Sequence, residues 1–192
     1  MDIFTVFIFS YLSGSIPFGL LLTKIFIKTD IRKIGSGNIG ATNALRTGNK
    51  SIGYATLILD ISKAVFPLIF IKIYYIEHLY ISSLCIFLGH VFPIWLKFKG
   101  GKGVATYIGI LCCINLYFGI YFGIVWLIVF FAFKYSSLSS LIASFSIPVI
   151  NFFFLNGEVV FFFIIMFILI FYTHRENIKR LLNRTESKTK IY

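Results

Sequence analysis

Long apolar runs, each bounded by a short polar or glycine-containing break, occupy most of this 192-residue chain. Hydrophobic residues make up 58% of the sequence, above the roughly 45–50% apolar content of a soluble domain. Because a membrane-crossing helix needs about 20 predominantly apolar residues, such runs are typical of an integral membrane protein. The sequence excludes a soluble fold and leaves functional chemistry to the short loops and the helix ends.

The apolar runs predict an all-α integral membrane protein with seven transmembrane helices in a single polytopic membrane domain, residues 1–192. The 30 residues from Val104 to Phe133 fit either one tilted helix or two short helices joined near residues 116–119. The first run lacks a basic leader and a cleavage site, so no removable signal peptide is expected. The predicted spans lie near residues 3–27, 52–76, 79–96, 104–118, 120–133, 138–155 and 158–173.

The distribution of positive charge decides the number of spans and orients the chain. The sequence has 18 Lys and Arg against 7 Asp and Glu, and such an excess usually marks the cytoplasmic face of a membrane protein. Seven spans place fifteen of these basic residues on one side, in loops 28–50, 97–103 and 134–137 and in the tail 174–192. Six spans would place the basic tail on the opposite side of the membrane from the loop 28–50, against the tendency of basic residues to lie on the cytoplasmic side. We therefore predict seven, with the N-terminus outside and the C-terminus in the cytoplasm.

The first cytoplasmic loop, residues 28–50, combines glycines with small polar side chains. Glycine lets the backbone approach a ligand, and successive N–H groups can cradle an anion. Ser36 adds a neutral donor, and Arg46 can clamp a phosphate through two hydrogen bonds. By itself the segment would be interpreted as a solvated re-entrant turn. The further residues expected to bind substrate here are Gly35, Gly37, Asn38, Gly40, Thr42 and Asn43.

Residues 97–103 form a second basic loop that leads directly into a predicted span. The N–H groups at a helix N-terminus attract anions, and Lys99 and Lys102 add positive charge. A plain basic loop explains the lysines but not the glycines at 100, 101 and 103. Nucleotide is not expected, because the Walker pattern is incomplete and no strand precedes the G-x-G-x-x-G spacing of the first loop.

Titratable side chains at the edges of the predicted spans have more than one interpretation. Asp60 and Lys63 lie one helical turn apart, and a local ion pair explains them at least as well as ligand contact. His90 fits interhelical hydrogen bonding. The three cysteines lie in apolar stretches without metal-ligand spacing, so neither a metal nor a cofactor is expected.

The tail, residues 174–192, continues the last predicted helix with polar residues. His174 and Asn177 lie on one face of that helix. A histidine at a membrane edge can act as a base or donate to a phosphate. A basic anchor for anionic lipid explains the lysines and arginines of the tail but not this face.

Glycine loops, an arginine and a histidine are thus expected to gather at the inner membrane edge as one pocket for a phosphorylated substrate that meets a lipid. Nucleic acid is a poor partner, because the Phe and Tyr residues lie mostly in apolar runs that bases cannot reach. Group transfer at the interface is one of two hypotheses that these features favour about equally. The alternative is a small organophosphate or anion transporter, because the same features also build ion sites.

Six segments carry extended motifs: residues 14–19 (GSIPFG), 35–46 (GSGNIGATNALR), 59–63 (LDISK), 89–106 (GHVFPIWLKFKGGKGVAT), 134–140 (KYSSLSS) and 174–186 (HRENIKRLLNRTE). Together they resemble the bacterial membrane glycerol-3-phosphate acyltransferases that use acyl-phosphate. The resemblance implies acyl transfer from acyl-phosphate to the 1-hydroxyl of glycerol-3-phosphate, which yields lysophosphatidic acid and phosphate without acyl-CoA or acyl carrier protein. It also implies seven spans in the inner membrane of a bacterium, with membrane lipid as a neighbour and a cytoplasmic site.

The same resemblance implies roles for individual residues. Ser36 and Arg46 would be site residues of the first loop, and His174 and Asn177 the active-site pair of the tail. Glu186 would be structural. Loop 97–103 would bind glycerol-3-phosphate. The substrate-binding residues implied outside the first loop are Lys63, Lys99, Gly100, Gly101, Lys102, Gly103, Thr106 and Ser140.

Two positions depart from the family pattern. Ala64 and Arg184 stand where the family usually has glycine. We expect the first to affect helix packing near Lys63 and the second to affect the conformation of the tail.

Overall fold

The computed structural model describes residues 3–154 and 159–189, and every regular element in these ranges is helical. The chain divides into two compact units, Met1–Ile114 and Asn115–Tyr192. The all-helical prediction is confirmed for the described residues, whereas the seven crossings, their orientation and the single domain stay predictions. Within the described ranges, four segments are long and apolar enough to cross a membrane: Ile3–Phe26, Ile76–Leu96, Leu116–Phe133 and Ser136–Phe153. A fifth results if the bent pair Val160–Thr173 and Arg175–Leu182 is one span.

The described residues of the first unit form six helices: α1 (Ile3–Gly14), α2 (Phe18–Phe26), α3 (Ala41–Leu45), α4 (Lys50–Tyr74), α5 (Leu79–Val91) and α6 (Val104–Ile114). The long helix α4 is at the centre and packs against α6, α3, α2 and α5. Helix α1 packs chiefly against α5, and two glycines allow their backbones to meet. A Cβ at Gly14 would overlap the Ile86 carbonyl oxygen, and one at Gly89 would overlap that of Tyr11. Short 3₁₀ turns occupy Ile31–Lys33, Ile76–His78 and Ile94–Leu96.

The described residues of the second unit form four helices: α7 (Leu116–Phe133), α8 (Ser136–Phe154), α9 (Val160–Thr173) and α10 (Arg175–Leu182). Helix α8 packs against both α7 and α9. The short helix α10 follows α9 after a bend of 63° and contacts α8 and α9. His174 lies at this bend.

The helix breaks differ from the predicted span boundaries for local reasons. The predicted span 3–27 comprises two helices, since α1 ends at Gly14 and Pro17 immediately precedes α2. In the stretch 104–133 the break lies at Asn115, whose side-chain oxygen accepts a hydrogen bond from the Tyr117 N–H at 2.9 Å and caps α7. The predicted span ends at residues 155 and 158, and the last three residues of the tail, lie outside the described residues.

The loop between α2 and α4 is a packed layer on the first unit. Its residues Ile31, Ile39 and Ala44 are buried against Leu20 of α2 and Ile52 of α4. Helix α2 approaches the loop backbone so closely that a Cβ at its Gly19 would overlap the carbonyl oxygen of residue 39. Apolar burial therefore fixes the loop and presents its polar residues on a defined scaffold.

The contact between α4 and α6 remains close despite the alanine at position 64. Ala64 is fully buried. A Cβ on Gly109 of α6 would lie 3.1 Å from the Ala64 Cβ and 2.7 Å from the Ile61 carbonyl oxygen. A glycine on the partner helix thus provides the space that α4 lacks.

Helix α10 ends in a Schellman motif, in which two backbone N–H groups close the last turn. The Arg184 N–H donates to the Leu181 carbonyl oxygen at 3.1 Å, and the Thr185 N–H donates to that of Arg180 at 2.8 Å. Arg184 has φ +57°, in the left-handed region that favours glycine. The unusual arginine thus occupies the position where glycine would be least strained.

We expect Arg184→Gly to stabilise the second unit by about 0.5–1 kcal/mol, because it relieves the left-handed conformation of a residue that has a Cβ. Thermal unfolding of the purified protein in detergent measures the effect. As a control, Arg175→Gly in the first turn of α10 should instead lower stability by up to about 1 kcal/mol. A fall in stability with Arg184→Gly would contradict the assignment of this C-cap.

Candidate active site

Asn43 closes the first loop around its own side-chain amide. Its Nδ2 lies 3.1, 3.0 and 2.8 Å from the carbonyl oxygens of Ile31, Ile34 and Asn38. Its Oδ1 accepts a hydrogen bond from the Ser36 N–H at 3.0 Å. The side chain is buried, so the amide that the sequence offered as a ligand donor holds the loop together.

Gly35 lies directly against the Arg46 side chain. A Cβ on Gly35 would lie 2.8 Å from the Arg46 Cδ and 2.5 Å from the Asn43 Oδ1. Gly35 and Gly37 have φ values of +53° and +71°, which glycine adopts readily. Ser36 and Arg46 are both exposed. The structure thus places Gly35 side by side with Arg46, and it leaves the side chains of Ser36 and Arg46 exposed.

The remaining first-loop candidates lie at the start of α3, where Gly40 is the N-cap residue, Thr42 lies in the first turn and Asn38 precedes the helix. The Gly40 carbonyl oxygen accepts hydrogen bonds at 3.1 Å from the Asn43 and Ala44 N–H groups. A Cβ on Gly40 would lie 3.7 Å from the Asn38 Nδ2. Asn38 and Thr42 are half-buried. Gly40 thus accepts the first hydrogen bonds of α3, and the Asn38 carbonyl oxygen accepts one from the Asn43 Nδ2.

We expect Asn43→Ala to lower kcat/KM at least about tenfold and stability by about 2 kcal/mol, because it leaves several backbone groups of the loop without their partner. Steady-state kinetics and thermal unfolding check both effects. Asn49→Ala is the matched control, since Asn49 caps α4 through the Ile52 N–H at 3.2 Å and should cost about 1 kcal/mol of stability with little loss of activity. Equal losses of activity in the two variants would contradict a specific role for Asn43.

The second loop, residues 97–103, folds back on the end of α5. The N–H groups of Gly100 and Gly101 donate to the last carbonyl oxygens of that helix at 2.9 and 3.1 Å. A Cβ on Gly101 would overlap His90 Nε2, and one on Gly103 would overlap the Phe87 ring. The glycines of this loop are therefore required for close approach to α5.

The lysines and the threonine that were predicted to bind substrate near this loop differ in how far they are buried. Lys99 is exposed and Lys102 is half-buried, whereas Thr106, in the first turn of α6, is fully buried. Lys63 is only 5% exposed. Its Nζ lies 2.9 Å from the Asp60 Oδ1 and donates to a backbone carbonyl oxygen at 2.7 Å. The ion pair that the sequence allowed is confirmed.

His174 is buried at the junction of α9 and α10, with 2% of its surface exposed. Its Nδ1 lies 2.8 Å from the Ile170 carbonyl oxygen. Because a carbonyl oxygen only accepts hydrogen bonds, Nδ1 carries the proton and the lone pair of the neutral ring lies on Nε2. This tautomer suits a ring nitrogen that accepts a proton or a hydrogen bond.

Glu186 connects three parts of the second unit. Its Oε1 accepts hydrogen bonds from the Asn177 Nδ2 at 2.6 Å and the Ser137 Oγ at 2.7 Å. Its Oε2 accepts one from the Arg180 Nε at 2.6 Å. Burial raises the pKa of Glu186, but the hydrogen bonds from Arg180, Asn177 and Ser137 outweigh it and lower the pKa below its usual value. The ionised carboxylate thus fixes the side chain of Asn177, which lies three residues after His174 in the sequence.

Ser140 participates in the contact between α7 and α8. Its Oγ accepts a hydrogen bond from the Trp126 Nε1 at 3.0 Å and donates one to the Ser136 carbonyl oxygen at 2.9 Å. The sequence predicts Ser140 at the substrate but does not single out Ser137 or Trp126. The serine-rich segment 134–140 was the available signal, although serine content alone does not identify the partners.

The comparison with known families decides the class of protein. The family described as "Glycerol-3-phosphate acyltransferase" matches residues 4–184. This chain belongs to the glycerol-3-phosphate acyltransferase family. A glycerol-3-phosphate acyltransferase of Pelagibacter ubique (strain HTCC1062) is 64% identical over 192 residues, 100% of both chains. That of Mesorhizobium japonicum is 48% identical over 181 residues, 94% of this chain and 93% of the relative.

Two solved structures resemble this acyltransferase. The first is PlsY (YgiH), an integral membrane glycerol 3-phosphate acyltransferase, in its glycerol 3-phosphate form. It has 38% sequence identity and a TM-score of 0.90, over 97% of this chain and 95% of that chain. The second is PlsY in its lysophosphatidic acid form, with 38% identity and a TM-score of 0.86 over 96% and 94% of the two chains. With its apolar helices, this acyltransferase is an integral membrane enzyme.

Proposed function

We propose that this protein transfers an acyl group from acyl-phosphate to the 1-hydroxyl of glycerol-3-phosphate, and releases lysophosphatidic acid and inorganic phosphate, in phospholipid biosynthesis. The main support is the full-length relative, 64% identical and named glycerol-3-phosphate acyltransferase. Further support comes from PlsY, whose structures are a glycerol 3-phosphate form and a lysophosphatidic acid form. The donor is proposed from the motif resemblance and from chemistry, because a mixed anhydride already carries an activated acyl group.

In the proposed reaction, the 1-hydroxyl oxygen attacks the acyl carbonyl carbon. The bond from that carbon to the bridging phosphate oxygen breaks, and phosphate leaves with the electron pair. Both substrates carry phosphate charge, so the protein has to neutralise it while it holds them together. In the proposal, Arg46, Lys99 and Lys102 supply that positive charge, and Ser36 and the N–H groups of the two glycine loops add hydrogen bonds.

The proton of the 1-hydroxyl has two proposed acceptors, His174 Nε2 or an oxygen of a substrate phosphate. The hydrogen bond from His174 Nδ1 to the Ile170 carbonyl oxygen favours the histidine, because it directs the lone pair to Nε2. Asn177 is proposed as its active-site partner, held by Glu186.

The proposed topology has seven crossings in the inner membrane of a bacterium, with the N-terminus outside and the C-terminus in the cytoplasm. The fifteen basic residues assigned to one side support this orientation. Helices α6 and α9, of 11 and 14 residues, are only about 17 and 21 Å long, so they require adjoining residues to cross a hydrocarbon core of about 30 Å.

The topology is tested by introducing cysteines at positions 32 and 188 and labelling them with a membrane-impermeant thiol reagent. Both cysteines should be labelled from the same side of the membrane. Labelling from opposite sides would contradict the topology.

The experiment that tests the function separates an enzyme from an organophosphate transporter. Purified protein mixed with glycerol-3-phosphate and palmitoyl-phosphate should release phosphate and lysophosphatidic acid in equal amounts, without nucleotide or acyl-CoA. Proteoliposomes loaded with labelled glycerol-3-phosphate serve as the comparison. Substrate flux across the vesicle membrane without any lysophosphatidic acid would favour the transporter and overturn the proposal.

A further inference from the structure

Three titratable side chains of the first unit are buried together where α4 meets the end of α5. Asp60, Lys63 and His90 are 2%, 5% and 4% exposed. The Asp60 Oδ1 lies 2.9 Å from the Lys63 Nζ and 3.8 Å from the His90 Nδ1. Apolar residues of similar volume are often as stable as a buried ion pair. Fold stability alone therefore gives no reason for this cluster.

The cluster joins two segments that carry no regular helix of their own. On one side, the Lys63 Nζ donates to the Ile16 carbonyl oxygen at 2.7 Å, in the break between α1 and α2. On the other side, the His90 ring lies against Gly101, where a Cβ would overlap Nε2. The Gly101 N–H also donates to the His90 carbonyl oxygen at 3.1 Å. The loop 97–103 thus contacts His90 through Gly101, and the other side of the His90 ring lies near Asp60.

We propose that Asp60, Lys63 and His90 are positioning residues, which together set the conformation of the loop 97–103 that receives glycerol-3-phosphate. The inference rests on the proposed function, since it deepens the role of the same loop. Lys63 then acts through Asp60 and His90 and does not contact the substrate. His90 limits where the Gly101 backbone can lie, and the charge of Asp60 is balanced by Lys63 from the same helix.

The test compares His90→Ala, Asp60→Asn and Gly101→Ala, with the double variant of His90 and Gly101. His90→Ala and Asp60→Asn should raise KM for glycerol-3-phosphate about tenfold, with kcat and KM for acyl-phosphate within about threefold, because loop geometry governs binding of one substrate. Amide hydrogen exchange of residues 97–103, without substrate, should accelerate about tenfold in both variants.

In the double variant of His90→Ala and Gly101→Ala, the space left by the imidazole accommodates the new methyl group. The increase in its KM for glycerol-3-phosphate should therefore be smaller than the product of the increases in the two single variants.

Ser82→Ala is the matched control, because Ser82 is a fully buried residue of α5 outside the cluster, and it should change neither KM nor exchange of the loop. Unchanged exchange and KM in His90→Ala would overturn the inference. Should that variant not fold, multiplicative effects of Gly101→Ala and His90→Gln would overturn it equally. Hydrogen exchange needs no turnover, so a wild-type protein without acyltransferase activity would refute the proposed function and leave the loop test intact.

Discussion

Arg46→Ala is expected to lower kcat/KM for glycerol-3-phosphate about 100-fold or more, the largest effect of any single change in the first unit. A guanidinium that holds a phosphate through charge-assisted hydrogen bonds contributes several kcal/mol where the phosphate is shielded from water. The position of Arg46 is specified by its neighbours, since its Cδ lies against Gly35 and leaves no space for a Cβ there. Steady-state kinetics with varied glycerol-3-phosphate measures the loss.

Arg32→Ala provides a control of equal charge in the same loop. Its guanidinium pairs with Asp30 at 2.6 Å, and this pairing lowers the pKa of the Asp30 carboxyl. Because the pair is largely exposed, its removal should change kcat/KM less than about threefold. Arg46→Lys should recover only part of the activity, since lysine lacks the planar fork of donors. Full activity of Arg46→Ala, or equal losses in Arg32→Ala, would contradict the phosphate clamp.

His174→Gln is expected to lower kcat about 100-fold or more and to abolish the acidic limb of the pH–rate profile, if the imidazole takes the proton of the 1-hydroxyl. Glutamine retains hydrogen-bonding capacity at that position but cannot accept a proton near neutral pH. In the wild type, activity should fall as the pH decreases, because a protonated ring is no longer a base. The pH dependence of kcat for both proteins measures the change.

His78→Gln is the matched control for this substitution. His78 lies in the 3₁₀ turn before α5, outside every proposed contact with substrate, and its replacement should leave the pH–rate profile unchanged. A His174→Gln variant with near-normal turnover and an unchanged profile would exclude the histidine base. A substrate phosphate oxygen would then be the proton acceptor.

The polar segments of the fold were predictable from the sequence because their chemistry is local. Glycines at 35, 37 and 103 have positive φ in the structure, as expected of loops that bend tightly. The spacing of Asp60 and Lys63 allowed an ion pair, because residues three apart on a helix are neighbours, but it left ligand contact as an equal alternative until the structure placed the two groups 2.9 Å apart. The helical fold was also predictable, because the apolar runs are too long for strands and have the length of membrane-spanning helices.

Tertiary contacts account for most of what the sequence could not specify. Asn43 is indistinguishable in the sequence from a ligand donor, yet its amide is engaged by backbone groups up to twelve residues away. Likewise, nothing in the serine-rich segment indicates that Ser137 binds Glu186, since the two are 49 residues apart. The break between α6 and α7 was expected near residues 116–119 and lies slightly earlier, at Asn115, because the surrounding residues are mainly apolar and the decisive signal was one capping side chain.

The claim that this protein forms an ester bond between the glycerol hydroxyl and the acyl carbon is tested most directly with an oxygen isotope. Glycerol-3-phosphate labelled with ¹⁸O in its 1-hydroxyl is incubated with the purified protein and palmitoyl-phosphate, and the products are analysed by mass spectrometry. The label should appear in the ester of lysophosphatidic acid, and the released phosphate should carry none. Labelled glycerol bisphosphate with free palmitate, or palmitate alone beside unreacted glycerol-3-phosphate, would contradict the claim.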